Sequence, residues 1–207
     1  MSTDATLIGI VGYSPVVDAY PLGPKLMAAL KAEIAGRDVA IENMTWSPIH
    51  IVQRFQDEGA VCPRRLVLMG AAAVAERPGR VRAFRWMGGA LPAQTMQERV
   101  YEAVTGIVDI ENTLVIGTHF GVWPDEVFAV EVEMQSDTFG RMVIADSQGV
   151  AVAGLGFSPA TAIAELAATA AALALHGRDS GVEAPPKSAE TLAKVQPFIH
   201  NRIALRA

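Results

Sequence analysis

An apolar run close to the start of the chain, followed by a loop with a single carboxylate, decides the fold. The stretch reads Leu7-Ile8-Gly9-Ile10-Val11-Gly12-Tyr13-Ser14-Pro15-Val16-Val17-Asp18-Ala19-Tyr20-Pro21-Leu22-Gly23-Pro24. The apolar part predicts a buried first strand, because it is short and is bounded by turn-forming residues. Sites in α/β proteins lie beyond the carboxyl ends of the strands, so the loop that carries Asp18 is the first candidate site.

Strand-like and helix-like periodicities alternate along the rest of the chain. Further strands are predicted at residues 39–42, 65–69, 81–86 and 127–134, and helices at residues 22–35, 48–58, 95–104 and 160–175. Ser47 is expected to cap the second helix with Pro48 at its first position, and Thr95 to cap the third. Strands separated by helices of this length indicate a mainly parallel sheet that is covered on both faces.

Two further segments are predicted in addition to these alternating strands and helices. Residues 135–152 alternate apolar and polar side chains and predict an extra β-hairpin that turns at residues 146–149. Residues 178–187, with glycine, proline and charged side chains, predict a surface linker that leads to a short terminal helix. We therefore expect one α/β domain over residues 1–177 and a C-terminal linker and helix over residues 178–207.

Composition excludes several classes of function. The 207 residues are 51% hydrophobic and 19% charged with a net charge of −5, and no run of Lys or Arg is present, which argues against nucleic-acid binding. The longest apolar stretch, residues 160–175, is mostly alanine and contains Glu165, so it predicts a buried helix and no membrane span. The start of the chain does not resemble a signal peptide, so a cytoplasmic protein is expected. A single cysteine, Cys62, excludes an intrachain disulfide and a cysteine-cluster zinc site.

The common catalytic motifs are absent from the sequence. It contains no Walker-type phosphate loop, no dinucleotide fingerprint, no nucleophile elbow and no zincin helix. Among the four histidines, His50 and His119 are the candidates for lining a site, whereas His176 and His200 are expected to face solvent.

Short motifs between the predicted elements carry a family resemblance. In chain order they are Gly12-Tyr13, Asp18-Ala19 with Gly23, Glu42-Asn43-Met44-Thr45-Trp46, Leu68-Met69-Gly70-Ala71, Pro78-Gly79-Arg80-Val81, Phe120-Gly121-Val122-Trp123-Pro124-Asp125 and Gly156-Phe157-Ser158-Pro159. Their order and spacing resemble the hydrogenase maturation proteases, endopeptidases that trim the C-terminus of the nickel-iron hydrogenase large subunit. The resemblance implies a three-layer α/β/α sandwich with a central sheet of about five strands, to which the predicted hairpin would be added.

The same resemblance implies a site for nickel or another divalent ion, and here the chain departs from the family. The family's three ligands are the second acid of the first loop, an Asp that ends strand three and a His that opens the helix before strand five. These positions fall at Ala19, at Gly70 and at residues 107–109. Ala19 and Gly70 have no ligating side chain, so Asp18 and Asp109 remain as the candidate ligands. The residues by themselves do not assign a cofactor.

Three functions follow as hypotheses. The favoured one is a hydrogenase maturation protease-like assembly chaperone, a pseudoenzyme that binds the large subunit or an accessory protein of a nickel-iron hydrogenase or related metalloenzyme, with degraded or absent peptidase activity. Its binding residues would be Tyr13, Asp18, Glu42, Met44, Thr45, Trp46, Met69 and His119, since apolar and aromatic side chains suit a protein interface. Core packing is the other interpretation of the apolar members.

The two alternatives are enzymes. One is an active maturation endopeptidase with a metal site rebuilt from Asp18, Glu42 and Asp109 with His50 or His119, because carboxylates and imidazole suit a transition metal. The other is a small-molecule hydrolase or transferase on a similar sandwich, since fold alone does not decide function. The sequence leaves the oligomeric state open, a homo-oligomer included.

Overall fold

The structure is an α/β fold built on a six-stranded, mostly parallel sheet. The computed structural model describes residues 5–11, 23–44, 47–57, 62–72, 77–104, 109–133 and 157–192. The strands are β1 (Thr6–Val11), β2 (Val39–Met44), β3 (Arg65–Ala72), β4 (Val81–Trp86), β5 (Glu126–Glu133) and β6 (Pro186–Lys187). Their order across the sheet is β2-β1-β3-β5-β4-β6, and β4 is antiparallel to β5 while it pairs in parallel with β6. The predicted α/β class with a mainly parallel sheet is confirmed.

Helices cover both faces of this sheet. They are α1 (Gly23–Glu33), α2 (Pro48–Gln56), α3 (Ala93–Val104), α4 (Ile110–His119), α5 (Pro159–His176) and α6 (Ala189–Leu192), with a 3-10 turn at Gly177–Ser180. Strand β1 is buried along its whole length and alternates between the two layers. Ile8 and Ile10 pack with α1 and α5, whereas Leu7 and Val11 pack with α2, α4 and α6. An unbroken apolar strand therefore sits in the middle of the sandwich, as its sequence predicts.

The four helices with predicted bounds begin and end within two residues of α1, α2, α3 and α5, whereas α4 has no counterpart among them. Ser47 caps α2, its side chain accepting the amide hydrogen of His50, and Pro48 occupies the first turn. The cap predicted at Thr95 is wrong, because α3 begins two residues earlier at Ala93. Strands β2 and β3 continue to Met44 and Ala72, beyond their predicted ends. The hairpin predicted at residues 135–152 lies outside the described residues.

Helix α5 packs into the core through small side chains. Its buried positions include Ala162, Ala167, Ala170 and Ala174, which allow a close approach to α1 and the sheet. By length and composition alone, residues 159–180 could cross a membrane, yet half of their apolar window is buried inside the protein. The expected buried helix is confirmed, and we interpret α5 as a core helix.

The segment after α5 contributes to the sheet, which the sequence did not predict. Strand β6 adds to the edge of β4, where the Arg85 amide donates to Pro185 O at 3.0 Å and the Met87 amide to Lys187 O at 2.9 Å. Lys187 also pairs with Glu111 of α4, and its ammonium lies 4.7 Å from the centre of the Phe84 ring. Residues 186–192 thereby bridge the sheet edge and the α4 layer.

Leu192→Ala tests whether this segment is part of the folded core. Leu192 is 1% exposed within the α4-side cluster, so its truncation should cost about 2–4 kcal/mol of unfolding free energy. Urea denaturation measures the loss. Glu183→Ala, an exposed change in the same segment, is the control and should stay within about 0.5 kcal/mol of the parent. An equally small loss for both variants would mean that the segment contributes no core packing.

Candidate functional site

The candidate site is the edge of the sheet at which the parallel strands end. Strands β1, β2, β3 and β5 finish there at Val11, Met44, Ala72 and Glu133. The predicted site residues Tyr13, Asp18, Ala19, Thr45 and Trp46, together with residues 107–108, lie outside the described residues. The strand ends and the first turn of α4 form the described part of the site.

Gly70 lies at the point where β1, β3 and α4 meet. A Cβ atom added there would be 2.5 Å from the backbone oxygen of Val11 and 3.3 Å from Cδ1 of Ile110. The first distance is far below van der Waals contact, and the obstructing atom is backbone, which cannot rotate away. The strand-three position that carries an Asp ligand in the resembled family therefore has no room for a side chain in this chain.

The residue that pairs with Gly70 on the neighbouring strand of the sheet carries a carboxylate. Glu131 of β5 is paired in register with Gly70 and with Arg82 of β4. It is 2% exposed, and its Oε2 lies 2.8 Å from Arg82 Nη2 and 3.0 Å from Arg82 Nε. Burial raises the pKa of Glu131, while the Arg82 charge acts in the opposite direction.

Sequence reasoning missed Glu131 and Glu133. A signal for them exists, because Val130-Glu131-Val132-Glu133 alternates at the end of an otherwise apolar strand and Arg80 and Arg82 alternate at the start of β4. In the structure, Glu133 is buried, lies 3.9 Å from Arg80 Nη1 and accepts the Arg77 amide at 3.1 Å. Matching charges on two neighbouring strands thus indicate cross-strand ion pairs.

Asp109 caps the helix that begins beside Gly70. Its carboxylate accepts the Asn112 amide at 2.6 Å, and its backbone oxygen accepts from the Thr113 amide and hydroxyl at 3.0 and 2.7 Å. Burial raises the pKa of Asp109 to about 6, opposed by the hydrogen bond from Asn112. The negative charge of Glu111 raises it further, as it does the pKa of Glu131. The carboxylate of Asp109 therefore serves as the N-cap of α4.

Glu42 is also committed to a structural ion pair. Its two carboxylate oxygens accept from Arg54 Nε at 3.0 and 3.1 Å and from Arg54 Nη2 at 2.7 Å, in a fork geometry. This pair joins β2 to α2. His50 lies on the same helix but is exposed.

Three other sequence candidates lie away from an accessible site. Met44 and Met69 are both 0% exposed, so their side chains belong to the core and offer no surface to a partner. His119 is exposed at the last position of α4, while Asp109 precedes the first. A helix rises about 1.5 Å per residue, which separates the two by about 15 Å. The structure does not bring His119 and Asp109 together.

These residues do not fit the divalent ion that the resemblance implies. Within the part of the chain that the structure describes, no three His, Cys, Asp or Glu side chains are grouped so that they could hold a metal ion. Gly70 provides no ligand, Asp109 caps a helix, and Glu131 and Glu42 are each neutralised by an arginine. The described carboxylates at this edge are therefore engaged in ion pairs or in a helix cap, around the close contact between the Val11 backbone oxygen and Gly70.

Comparisons of the chain with protein-family models, with curated proteins and with solved structures found no significant match.

Asp109→Asn separates the capping role of this residue from its charge. Because the pKa of Asp109 is raised to about 6 in the folded protein from 3.8, its contribution favours folding below pH 4 and is lost as the pH rises towards 6. Asn caps a helix about as well as Asp, so this variant should be more stable than the parent at pH 7, by about 3 kcal/mol, and nearly equal to it at pH 4.

Urea denaturation at a series of pH values measures this difference. Asp109→Ala is the control, because it removes the charge and the cap together and should be about 1 kcal/mol less stable than Asp109→Asn at every pH. A constant difference between parent and Asp109→Asn from pH 4 to 7 would contradict the raised pKa.

Proposed function

We propose that this protein is a hydrogenase maturation protease-like assembly protein. It binds the precursor large subunit of a nickel-iron hydrogenase or related metalloenzyme, or an accessory protein of that assembly, in the cytoplasm, and it does not cut the precursor through the family's metal-dependent reaction. The observation that carries the proposal is the contact between the Val11 backbone oxygen and Gly70, which closes a ligand position. The order of strands and helices along the chain, which follows the order of the family-like motifs, supports the rest.

The chemistry of the described edge favours binding over hydrolysis. Peptide hydrolysis needs a polarised carbonyl and an activated water, which a divalent ion or an unpaired acid and base can supply. Glu131 and Glu42 are instead paired with arginines, and Asp109 accepts a backbone amide hydrogen. These contacts hold the strand ends and the first turn of α4 in place. They fix the strand ends from which residues 12–22 and 45–46, the segments proposed to contact the precursor, continue in the sequence.

Those two segments contain the residues proposed to make the contact. Tyr13, Asp18, Thr45 and Trp46 follow β1 and β2 in the sequence. Two aromatic rings with a carboxylate are a composition typical of a protein-binding surface, in which a few aromatic side chains supply most of the binding energy.

A pull-down from the native host tests the proposal. The tagged full-length protein should recover a metalloenzyme subunit or an assembly factor, identified by mass spectrometry. Trp46→Ala should reduce that recovery about tenfold or more, as expected for an aromatic anchor. Glu165→Gln, an exposed change on α5, is the matched control and should recover as much as the parent.

Incubation of the recovered precursor with the protein and added nickel completes the experiment. We expect the mass of the precursor to stay unchanged. Loss of a C-terminal peptide would support the alternative of an active endopeptidase with a rebuilt site. Recovery of no metalloenzyme component would contradict the proposed function altogether.

A further inference from the structure

A small cavity lies at the opposite end of the sheet from the candidate site. It has a volume of about 110 Å³ and lies between the sheet, the end of α5 and the segment that follows it. Its apolar walls are Phe128, Leu173, Val182 and Ala184. Phe128 and Leu173 are each 1% exposed, so the floor of the cavity belongs to the core on the α5 face, while its other side opens to solvent.

Two arginines line the same cavity. Arg85 projects from β4 to the α5 face, two residues after Ala83, which packs in the α5-side core. Its guanidinium forms no hydrogen bond or ion pair within the described ranges, whereas its backbone amide donates to Pro185 O. Arg178 follows α5, is mostly exposed, and reaches Glu126 only at 3.9 Å.

The carboxylate of Glu126 forms only a long ion pair with Arg178, and a closer one with a third arginine. It is held by Arg65, whose Nε lies 2.5 Å from Glu126 Oε2 and whose Nη1 donates to Ala174 O at 2.8 Å. Arg65 and Arg178 therefore share one carboxylate, and the described residues provide no ion-pair partner for Arg85. Arg85 therefore lines an apolar recess with no hydrogen-bond partner for its guanidinium among the described residues.

The size and chemistry of the cavity select a class of ligand. A cavity of about 150 Å³ holds benzene, so 110 Å³ suits about four or five non-hydrogen atoms, which is enough for a short carbon chain whose carboxylate oxygens lie outside it, at the arginines. Guanidinium groups bind carboxylates through paired hydrogen bonds, and apolar walls favour an alkyl group over a second charge. We infer that this cavity is a binding site for a small carboxylate with a short apolar side chain, held by Arg85 and Arg178. The site is separate from the proposed precursor-binding edge and does not depend on it.

Ligand-observed NMR titration with butyrate tests the site. Butyrate should bind with a Kd on the order of 1 mM, and butyramide, its uncharged analogue, should bind at least about tenfold more weakly. Arg85→Met keeps the aliphatic stem and should weaken butyrate about tenfold or more. Arg80→Met removes the same charge at the other end of the sheet, where Arg80 lies near Glu133, and should leave butyrate binding unchanged.

A second variant keeps the test independent of Arg85. Ala184→Leu fills the cavity and should abolish butyrate binding while the thermal unfolding midpoint stays within about 5 °C of the parent. Equal binding of butyrate and butyramide, unchanged binding by Arg85→Met, or a Kd above about 20 mM for the parent would overturn the site.

Peptides distinguish the source of the carboxylate. A tripeptide that ends in valine should bind with its free carboxylate and lose that binding when amidated. If the free tripeptide binds about tenfold more tightly than butyrate, a peptide C-terminus is the ligand. If its affinity stays below that level, the ligand is a free small acid. Failure of both carboxylates to bind would overturn the inference.

Discussion

The contact between the Val11 backbone oxygen and Gly70 is the constraint on which the candidate site depends. Strands β1 and β3 lie so close there that a Cβ atom would be 2.5 Å from that oxygen, and Ile110 closes the position from α4. Only glycine fits, because the nearest atom belongs to the backbone of a buried strand. The same contact lets α4 begin directly over the sheet, with Asp109 as its cap. A carboxylate side chain at position 70 of β3 would therefore be incompatible with this packing.

The charges around Gly70 follow from that packing. Glu131 lies in register with Gly70 on the face that α4 covers, so it is buried and requires a cation, which Arg82 provides. Glu111 pairs with Lys187, which ties the C-terminal segment to the same layer. Paired carboxylates at the strand ends stabilise the edge but have little freedom to exchange protons or to hold an ion. The proposal of a binding protein without the family's metal chemistry rests on this arrangement.

Much of the fold was predictable from local patterns, whereas the site depended on contacts that no local pattern records. The apolar run of β1 and the Ser47-Pro48 start of α2 have strong signals within a few residues, and both appear in the structure. Strand β6 has two residues and begins with proline, so nothing local distinguishes it from a linker. A methionine in the sequence can belong to a binding surface or to a core. The packing of Met44 against Gly9 and of Met69 under α5 shows that both belong to the core. Asp109 caps a helix because α4 begins directly after it, and this start could not be placed from the local sequence.

The free energy of unfolding of Gly70→Ala is the measurement that tests this account most directly. We expect a loss of about 2–3 kcal/mol relative to the parent, because the added methyl group must displace a strand backbone. Combining the change with Ile110→Ala should not restore the loss, since the obstructing atom is the Val11 oxygen and not the Ile110 side chain. A loss below about 0.5 kcal/mol would contradict the account, because it would show that β3 has room for a side chain where the family carries its ligand.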